Sequence, residues 1–264
     1  MECINCGNDV TVRYCANCGQ RAGIKRITLK DSLKDFWTLV VGLDGFFLRT
    51  LTDLTRRPGY VAREYIRGVR VKYFGPIAYF FFMITLLLLF INILGLDFAE
   101  LIQDKQTAFA VPEAANQRGM ARVTRWVADN IKWILFLAVP FQAFAARFFF
   151  FRKSGFNFIE HTVPLFYTTG HLFWLTLLTF TYRSVTGELP FIYTTILSFL
   201  YFGYTYSNLM TYQSKVKAFF KGMGVYLGGQ VVFAVVMIIV MTGVLIVLSL
   251  INPEVLKDFR PSAK

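Results

Sequence analysis

Five long apolar runs constrain this sequence more than any other feature. Each holds about 20 residues or more with almost no charge, enough for an α-helix to cross the ~30 Å hydrocarbon core of a bilayer. Backbone groups inside a bilayer must pair within the protein, which favours helices. The runs lie near residues 77–96, 131–151, 163–182, 190–210 and 225–251. We therefore predict an all-α membrane protein in which residues 76–252 form a bundle of about five transmembrane helices.

The distribution of Lys and Arg predicts which side of the membrane each end of the chain occupies. Residues 1–75 hold 13 Lys or Arg against 7 Asp or Glu, whereas the loop at 97–130 holds 4 against 5. Positive flanks stay on the cytoplasmic side, so the N-terminus is predicted in the cytoplasm. Five crossings then place the C-terminal tail, residues 253–264, outside. The basic residues of that tail weaken the pattern, and the inverted orientation stays open.

Four cysteines, the only ones in the chain, stand in two Cys-x-x-Cys pairs near the N-terminus. Glycine follows each pair, and glycine tolerates the left-handed backbone of a zinc knuckle. Four thiolates fill a tetrahedral zinc shell and leave no position for water, so the metal would fold the segment and not catalyse. Residues 1–22 are thus predicted to form a zinc ribbon around one structural zinc ion. The predicted ligands are Cys3, Cys6, Cys15 and Cys18.

Two other uses of these cysteines are a redox dithiol and a pair of disulfides. A redox Cys-x-x-Cys normally belongs to a thioredoxin-like unit, which so short a segment cannot build, and disulfides need an oxidising compartment. The charge pattern puts this end of the chain in the cytosol. Zinc therefore fits both the spacing and the compartment, and we expect the ribbon to offer a docking surface for a protein partner.

Residues 23–75 combine amphipathic segments with a strongly basic stretch. Apolar residues recur at helical spacing in residues 28–41 and again after the cap residue Asp44, and neither segment is long enough to span. We predict helices that lie in the cytoplasmic interface. Basic residues interleaved with aromatic ones follow: Arg56, Arg57, Arg63, Arg67, Arg70 and Lys72. The favoured interpretation is a positive-inside anchor with an aromatic belt, and the alternative is a contact site for anionic lipid headgroups or an acidic partner.

Three motifs together resemble a known bacterial family. They are YCANCGQ at 14–20, FLRTLTDLTRRPGYVAREYIRGVRVKYFGP at 47–76 and FNFIEH at 156–161. The sequence resembles the DUF3667 family, whose function is unknown and whose members pair a zinc-ribbon end with a basic stretch before the first span. Gly68-Val69-Arg70 departs from the family's usual Gly-Lys-Arg. The resemblance implies an integral protein of the cytoplasmic (inner) membrane of a bacterium, and it implies no reaction.

The third and fourth apolar runs carry polar residues that a lipid-facing helix would leave without partners. A polar group in the bilayer needs another helix or a wet cavity, so these residues are predicted to face inward. Interhelical hydrogen bonding and a polar pathway for a solute are the two interpretations. The residues are Glu160, His161 and His171 in the third run, and Thr194, Ser198, Tyr201, Thr205 and Asn208 in the fourth.

Two function classes find no support in the sequence. The net charge of +12 is concentrated before the first span without a nucleic-acid recognition fold, so no nucleic-acid partner is expected. The chain contains no HExxH, no GxSxG, no clustered acids and no phosphate-binding glycine loop, so we predict that it is not an enzyme.

Two hypotheses for the function therefore remain. The first is a membrane-anchored interaction or regulatory protein whose zinc ribbon docks a partner. The second is a small-solute or lipid transporter that uses the polar faces of spans three and four. The last run also holds Gly224-x-x-x-Gly228, a pattern that permits close helix contact within the bundle or in a homo-oligomer.

Overall fold

A computed structural model of the protein describes residues 2–3, 6–12, 14–18, 46–70, 72–96, 124–187 and 191–251. The chain divides into two compact units, Met1–Phe47 and Leu48–Lys264. Several predicted features lie outside the described residues: Gly19, the helix at 28–41, the cap Asp44, most of the loop at 97–130 and the tail at 253–264.

In the smaller unit, the chain reverses direction between Cys3 and Asp9. Glu2 and Asp9 form an antiparallel backbone bridge. Two hydrogen bonds of 2.9 Å close the turn, from Cys3 N to Asn8 O and from Gly7 N to Cys3 O. Gly7 has a φ of +74°, a left-handed conformation that glycine adopts without strain. The Cys-x-x-Cys-Gly sequence therefore forms the tight turn expected of a metal-binding knuckle.

From Phe46 onward, the described residues are helical and contain no strand. The helices are α1 (Phe46–Arg56), α2 (Pro58–Ile66), α3 (Pro76–Ile93), α4 (Ile131–Ala145), α5 (Phe158–Thr186), α6 (Phe191–Leu209) and α7 (Lys215–Ile251). α4 continues directly into a π-helical segment, Ala146–Phe150. The predicted all-α class is confirmed for this part of the chain.

Local sequence signals set several helix ends. Pro58 and Pro76 occupy the first positions of α2 and α3, where the missing N–H loses no helical hydrogen bond. α5 begins with a capping box, in which Asn157 Oδ1 accepts from Glu160 N at 2.8 Å and Glu160 Oε2 accepts from Asn157 N at 2.7 Å. α5 ends at Gly187, which is left-handed with a φ of +77°. Glu160, predicted as a pathway residue, thus caps a helix.

The helices from α2 to α7 pack into one bundle within the larger unit. α3 lies against α5, α7 lies against both α4 and α6, and α2 lies across α5 and α6. Phe80, Phe136 and Phe166 fill the space between α3, α4 and α5, with ring centroids 5.3 to 6.2 Å apart. Gly170 allows α5 to approach α3, because a Cβ there would lie 3.1 Å from Phe80 Cα.

The glycines of the last helix, α7, pack against other helical segments of the same chain. A Cβ at Gly224 would lie 2.3 Å from Phe150 Cε1, and one at Gly228 would lie 3.0 Å from Phe150 Cε2. At Gly229 a Cβ would lie 2.4 Å from Gln142 Cγ. Phe150 and Gln142 belong to the π-helical segment and to α4. The pattern therefore brings α7 close to α4 within the bundle, which is the first of its two predicted uses.

Among the described residues, three helical stretches are long and apolar enough to cross a membrane: Pro76–Ile93, Ile131–Phe150 and Lys215–Val240. They correspond to the first, second and fifth predicted runs. α5 and α6 have lengths of 29 and 19 residues but carry many hydroxyl groups, which lower their mean hydropathy. A membrane protein is therefore supported, and the count of five spans remains a prediction.

The amphipathic helices α1 and α2 bury apolar residues against protein. Leu54, Val61 and Ala62 each have no exposed surface. Since α2 lies across α5 and α6, its apolar face covers the bundle. The sequence predicts that the apolar face of the segment after Asp44, which forms most of α1, lies on the membrane, whereas Leu54 on that face is buried by protein.

Candidate functional site

The sulfur atoms of Cys3, Cys6, Cys15 and Cys18 converge on one point in the smaller unit. All four Sγ atoms lie within 4.8 Å of one another. Cys3 Sγ is 3.5 Å from Cys18 Sγ, and Cys6 Sγ is 3.6 Å from Cys15 Sγ, too far for disulfides of about 2.05 Å. Zinc–sulfur bonds of about 2.3 Å place tetrahedral sulfurs about 3.8 Å apart. The cluster therefore has the dimensions of a site that could hold one metal ion.

The surroundings of these thiols shift their pKa values in opposite directions. The backbone N–H of Cys18, followed by that of Asn17, lowers the pKa of the Cys15 thiol. In contrast, hydrogen bonding with the Cys18 and Cys15 thiols, together with burial, raises the pKa of Cys6 to about 11. Cys3 and Cys15 are buried together with Val10. Several thiolates this close repel one another unless a cation neutralises them. A four-sulfur set is closed to water, so a metal here would stabilise the fold and would not present a catalytic water.

In the larger unit, the predicted basic surface is partly neutralised by Asp53. Arg57 donates to Asp53 Oδ1 through Nε at 3.3 Å and Nη2 at 3.1 Å, and its hydrogen bond to Asp53 raises the pKa of the guanidinium. Arg57 also lies 4.7 Å above the centre of the Tyr60 ring. Tyr73 donates to Asp53 Oδ2 at 3.0 Å, and burial together with this bond raises the pKa of Tyr73. Asp53 thus joins α1 to the segment before α3.

Four of the other predicted contacts are exposed or half-buried: Arg56, Arg67, Arg70 and Lys72. Arg67 Nη1 lies 3.5 Å from Glu64 Oε1, with 66% of the Arg67 side chain exposed. Arg70 lies 5.7 Å from the centre of the Tyr65 ring. Exposed ion pairs of this kind contribute little to stability. These side chains therefore keep charge at the surface, where an anionic partner can reach it.

Arg63, in contrast, points into the bundle. Its Nε and Nη2 donate to Leu209 O at 3.1 and 2.6 Å, and Nη2 also donates to Asn208 O. These carbonyls end α6, where a helix has no partners of its own for them. Burial, with repulsion from Arg67, lowers the pKa of Arg63. The Arg63 guanidinium thus caps α6 and complements the negative end of its dipole.

Gly59 brings α2 into direct backbone contact with α6. A Cβ at this position would lie 2.3 Å from Thr205 O and 2.3 Å from Leu209 N. Both atoms are backbone atoms, which cannot rotate away as a side chain does. Only glycine therefore permits this approach, one turn before Arg63 reaches the end of the same helix.

The end of α1 is held by α6 as well. Tyr201 donates its hydroxyl to Leu54 O at 2.9 Å, and Tyr204 donates to Arg56 O. The last carbonyls of α1 also lack partners within their own helix. Side chains of α1–α2 and α6 therefore satisfy each other's terminal carbonyls.

The stretch that makes these contacts coincides with a known sequence family. Residues 44–88 match the family model described as Protein of unknown function (DUF3667). This match confirms the predicted family resemblance. The DUF3667 match contains the whole motif at 47–76, and it does not reach YCANCGQ or FNFIEH. No curated protein and no solved structure matches the chain.

In this chain the DUF3667 segment forms a clasp made of α1, α2 and the start of α3. Phe74 N donates to Thr50 Oγ1 at 2.9 Å, and Tyr167 of α5 donates its hydroxyl to Phe74 O at 2.6 Å. Together with Gly59 and Arg63, these residues bond the segment to α5 and α6. The DUF3667 segment therefore supplies contacts that hold one side of the bundle.

His171 links the DUF3667 segment to the predicted polar residues. Its Nδ1 lies 3.0 Å from the Tyr79 hydroxyl of α3, and its Nε2 lies 3.1 Å from Thr55 Oγ1 of α1. The imidazole also stacks on the Tyr201 ring of α6, with centroids 5.5 Å apart. Both ring nitrogens of His171 are therefore engaged, and the histidine connects four helices.

The remaining members of the predicted pathway are bonded locally or to the neighbouring helix. Thr168 of α5 donates to Thr205 Oγ1 of α6 at 3.2 Å. Within α6, Ser198 Oγ donates to Thr194 O at 2.7 Å, and Asn208 Nδ2 donates to a carbonyl one turn earlier. This geometry is typical of interhelical hydrogen bonding and of helix-internal hydroxyl bonds.

His161 has a different environment from His171. It is wholly buried, and its Nε2 lies 3.2 Å from Ser154 Oγ. Its Nδ1 has no hydrogen-bond partner within the described residues. A buried polar atom without a partner is rare in native proteins, which singles out this end of α5.

Sequence reasoning did not single out Gly59, Asp53, Tyr79 or Ser154. Gly59 follows a helix-starting proline and interrupts an amphipathic helix at a cost of about 1 kcal/mol, a signal that indicates close backbone contact. Asp53 stands four residues before Arg57, the spacing of a helix ion pair. Nothing local marks Tyr79 or Ser154, because their partners are remote in sequence or in the next helix.

Replacing His171 with phenylalanine is expected to lower the free energy of unfolding by about 2 kcal/mol. Phenylalanine keeps a ring against Tyr201 but removes the hydrogen bonds to Tyr79 and Thr55. The measurement is denaturant unfolding in detergent micelles, followed by circular dichroism. A double-mutant cycle with Tyr79→Phe should give a coupling energy of about 1 kcal/mol, because the two single changes remove one shared bond. If the stability changes of the two single variants simply add in the double variant, the His171–Tyr79 hydrogen bond is contradicted.

Proposed function

We propose that the protein is a membrane-anchored interaction or regulatory protein whose cytosolic zinc ribbon docks a partner. The observation that carries the proposal is the convergence of four Sγ atoms within 4.8 Å, in a chain whose described residues include three helices apolar enough to cross a membrane. A closed tetrathiolate supports a surface and not a reaction. We therefore propose no enzymatic activity.

The surface of the proposed ribbon supports a docking role. Val12 and Tyr14 are 65% and 52% exposed, although both are large hydrophobic residues in a very small unit. Aromatic and apolar side chains of this kind are enriched at the centres of protein interfaces. We propose that they contact a protein partner once zinc has ordered the segment.

We further propose that α5 and α6 complete a bundle of five spans. At 1.5 Å per residue, their 29 and 19 residues give helices of about 44 and 28 Å, comparable to a ~30 Å hydrocarbon core. Most of their described polar side chains bond to neighbouring helices or to their own backbone, which supports a place in lipid; the exceptions include His161 Nδ1 and the Tyr206 hydroxyl. The basic residues before α3 favour a cytoplasmic N-terminus and an outer C-terminus in a bacterial inner membrane.

Replacing Cys15 with serine is expected to reduce bound zinc from about one ion per chain to none, because a three-thiolate remnant binds zinc far more weakly. Metal content would be measured by inductively coupled plasma mass spectrometry on protein purified in lipid discs. Val12→Ser is the matched control, since it changes an exposed neighbour that offers no ligand. Equal zinc in wild type and Cys15→Ser would contradict the proposed site.

Docking is tested in the same samples with a photo-reactive amino acid in place of Tyr14. The proposal expects a cross-link to one protein partner that disappears when Cys15→Ser is added. A control probe at Ile196, which is exposed on α6, should not capture that partner. Unchanged cross-linking in the Cys15→Ser variant would show that docking does not depend on a zinc-bound ribbon.

The alternative function, a small-solute or lipid transporter, has one specific observation in its favour. Gln142 Oε1, His161 Nδ1 and the Tyr206 hydroxyl are buried without hydrogen-bond partners among the described residues. Such atoms in a helical bundle are typical of water-filled or ligand-filled space. If wild type and Cys15→Ser retain the same enriched solute or lipid and no protein partner, the alternative is favoured.

A further inference from the structure

A cleft of about 190 Å³ opens beside α2 and is lined by Arg63 of that helix and by Arg67, which follows it. Its walls come from α2, from the connection between the π-helical segment and α5, and from the connection between α6 and α7. Its polar lining consists of Arg63, Arg67, Ser154, Thr211 and Tyr212. None of the described residues that line it is Asp or Glu. The cleft therefore presents hydrogen-bond donors and positive charge without a competing carboxylate on its walls.

The two arginines of the cleft keep donors available. Arg63 uses Nε and Nη2 for the carbonyls of α6, and its Nη1 makes no hydrogen bond within the described residues. Arg67 Nη1 lies 3.5 Å from Glu64 Oε1, and 66% of the Arg67 side chain is exposed, so its donors can reach solvent or a ligand. The anchoring of Arg63 fixes its guanidinium at the wall of the cleft, so little side-chain entropy is lost on binding.

Ser154 supplies a neutral donor whose direction is set by its neighbours. A serine hydroxyl has one donor and two acceptor lone pairs. Phe156 N donates to Ser154 Oγ at 3.2 Å, which uses one lone pair. His161 Nε2 lies 3.2 Å away on the buried side, and a proton on Nε2 uses the second lone pair. The opposite tautomer would leave an N–H at Nδ1 without an acceptor, so the first arrangement is favoured.

In that arrangement the hydroxyl hydrogen of Ser154 has no acceptor among the described residues and is free to point into the cleft. The buried His161 thus acts as a positioning residue for a donor that lines the same cleft as Arg63 and Arg67. Guanidinium groups and hydroxyls that converge from separate segments suit a tetrahedral anion with several oxygens.

We propose that this cleft binds a phosphate ester of net negative charge, with Arg63, Arg67 and Ser154 donating to its oxygens. The ester could be the headgroup of a membrane lipid or a soluble phosphate compound, since both carry the same group. The lipid source rests on the proposed membrane placement, whereas neither source depends on the zinc ribbon.

The test is a binding titration of the full-length protein in neutral detergent, followed by thermal unfolding and by native mass spectrometry. The probes are inorganic phosphate, dioctanoyl phosphatidic acid and, as a headgroup without net charge, dioctanoyl phosphatidylcholine. The proposal expects saturable stabilisation by phosphatidic acid, by phosphate or by both, and no saturable effect of phosphatidylcholine. Phosphatidic acid alone would identify a lipid site, and a response to phosphate would identify a site open to soluble esters.

Arg67→Gln is expected to weaken the observed binding about tenfold, because one charge-assisted hydrogen bond is lost. Arg49→Gln removes the same charge from an exposed position of α1 that does not line the cleft, and it should leave the affinity within about twofold. Ser154→Ala should weaken binding about fivefold and provides a second, uncharged test. Equal losses in Arg67→Gln and Arg49→Gln, or no saturable binding of either anionic probe, would overturn the proposal. Zinc content serves as the control that the ribbon is unaffected.

Discussion

Replacing Gly59 with alanine is expected to lower the free energy of unfolding by about 3 kcal/mol or more. The new Cβ would lie 2.3 Å from backbone atoms of Thr205 and Leu209, so α2 and α6 must separate. The gain of about 1 kcal/mol that alanine normally brings to a helix is too small to offset this clash. Unfolding in detergent with increasing denaturant, followed by circular dichroism, measures the difference.

Gly75→Ala is the matched control for this prediction. A Cβ at Gly75 would meet only the Tyr65 hydroxyl at 3.8 Å, an ordinary contact distance. The φ of Gly75 is −59°, which alanine adopts without strain. We expect a change within about 0.5 kcal/mol for this variant. Similar stabilities for Gly59→Ala and Gly75→Ala would show that α2 does not touch the backbone of α6.

Replacing Arg63 with methionine is expected to lower the free energy of unfolding by about 3 kcal/mol. Methionine keeps the apolar stem of arginine but removes every bond to Asn208 O and Leu209 O, leaving the last carbonyls of α6 to compete for water at a half-buried position. The favourable charge at the negative end of the helix dipole is lost as well. Denaturant unfolding again gives the difference, and hydrogen exchange at the end of α6 should accelerate.

Arg67→Met separates this local effect from a general loss of positive charge. Arg67 is one turn further along, and 66% of its side chain is exposed. Its removal should change stability by less than about 0.5 kcal/mol. Arg63→Lys should restore only part of the loss, because an ammonium group cannot present the planar fork that reaches both carbonyls. If Arg63→Met is as stable as wild type, Arg63 does not stabilise the end of α6.

The predicted metal centre followed from short-range information. The spacing within two Cys-x-x-Cys-Gly motifs, separated by eight residues, is enough to predict that the four thiols come together. Gly7 adopts the left-handed conformation that such a turn requires. The family resemblance is equally local, since the matched residues 44–88 are continuous in the chain. The apolar runs near 77–96, 131–151 and 225–251 also carry their own signal, because length and composition alone decide whether a helix can span.

The separate roles of the basic residues could not be predicted in this way. Arg63 and Arg67 are one turn apart in the same segment, and the sequence treats them alike. Arg63 became a helix cap only because its partner carbonyls lie about 145 residues away, at the end of α6. His171 likewise looked like a lone histidine in an apolar run, and its partners come from α1 and α3.

The sequence by itself thus determined the elements: an all-α chain, apolar helices, a four-cysteine cluster and a basic clasp before α3. Their periodicity, spacing and composition are properties of neighbouring residues, which local physics converts into helices and turns. Only the tertiary structure decided which polar groups meet. It placed Gly59 of α2 against the backbone of α6 and paired the terminal carbonyls of α1 and α6 with side chains of the other segment. It also formed a cleft lined by arginine and serine side chains. Such pairings depend on packing between distant segments. A local signal such as Gly59 inside a helix indicates a close contact, but it does not say which segment makes that contact.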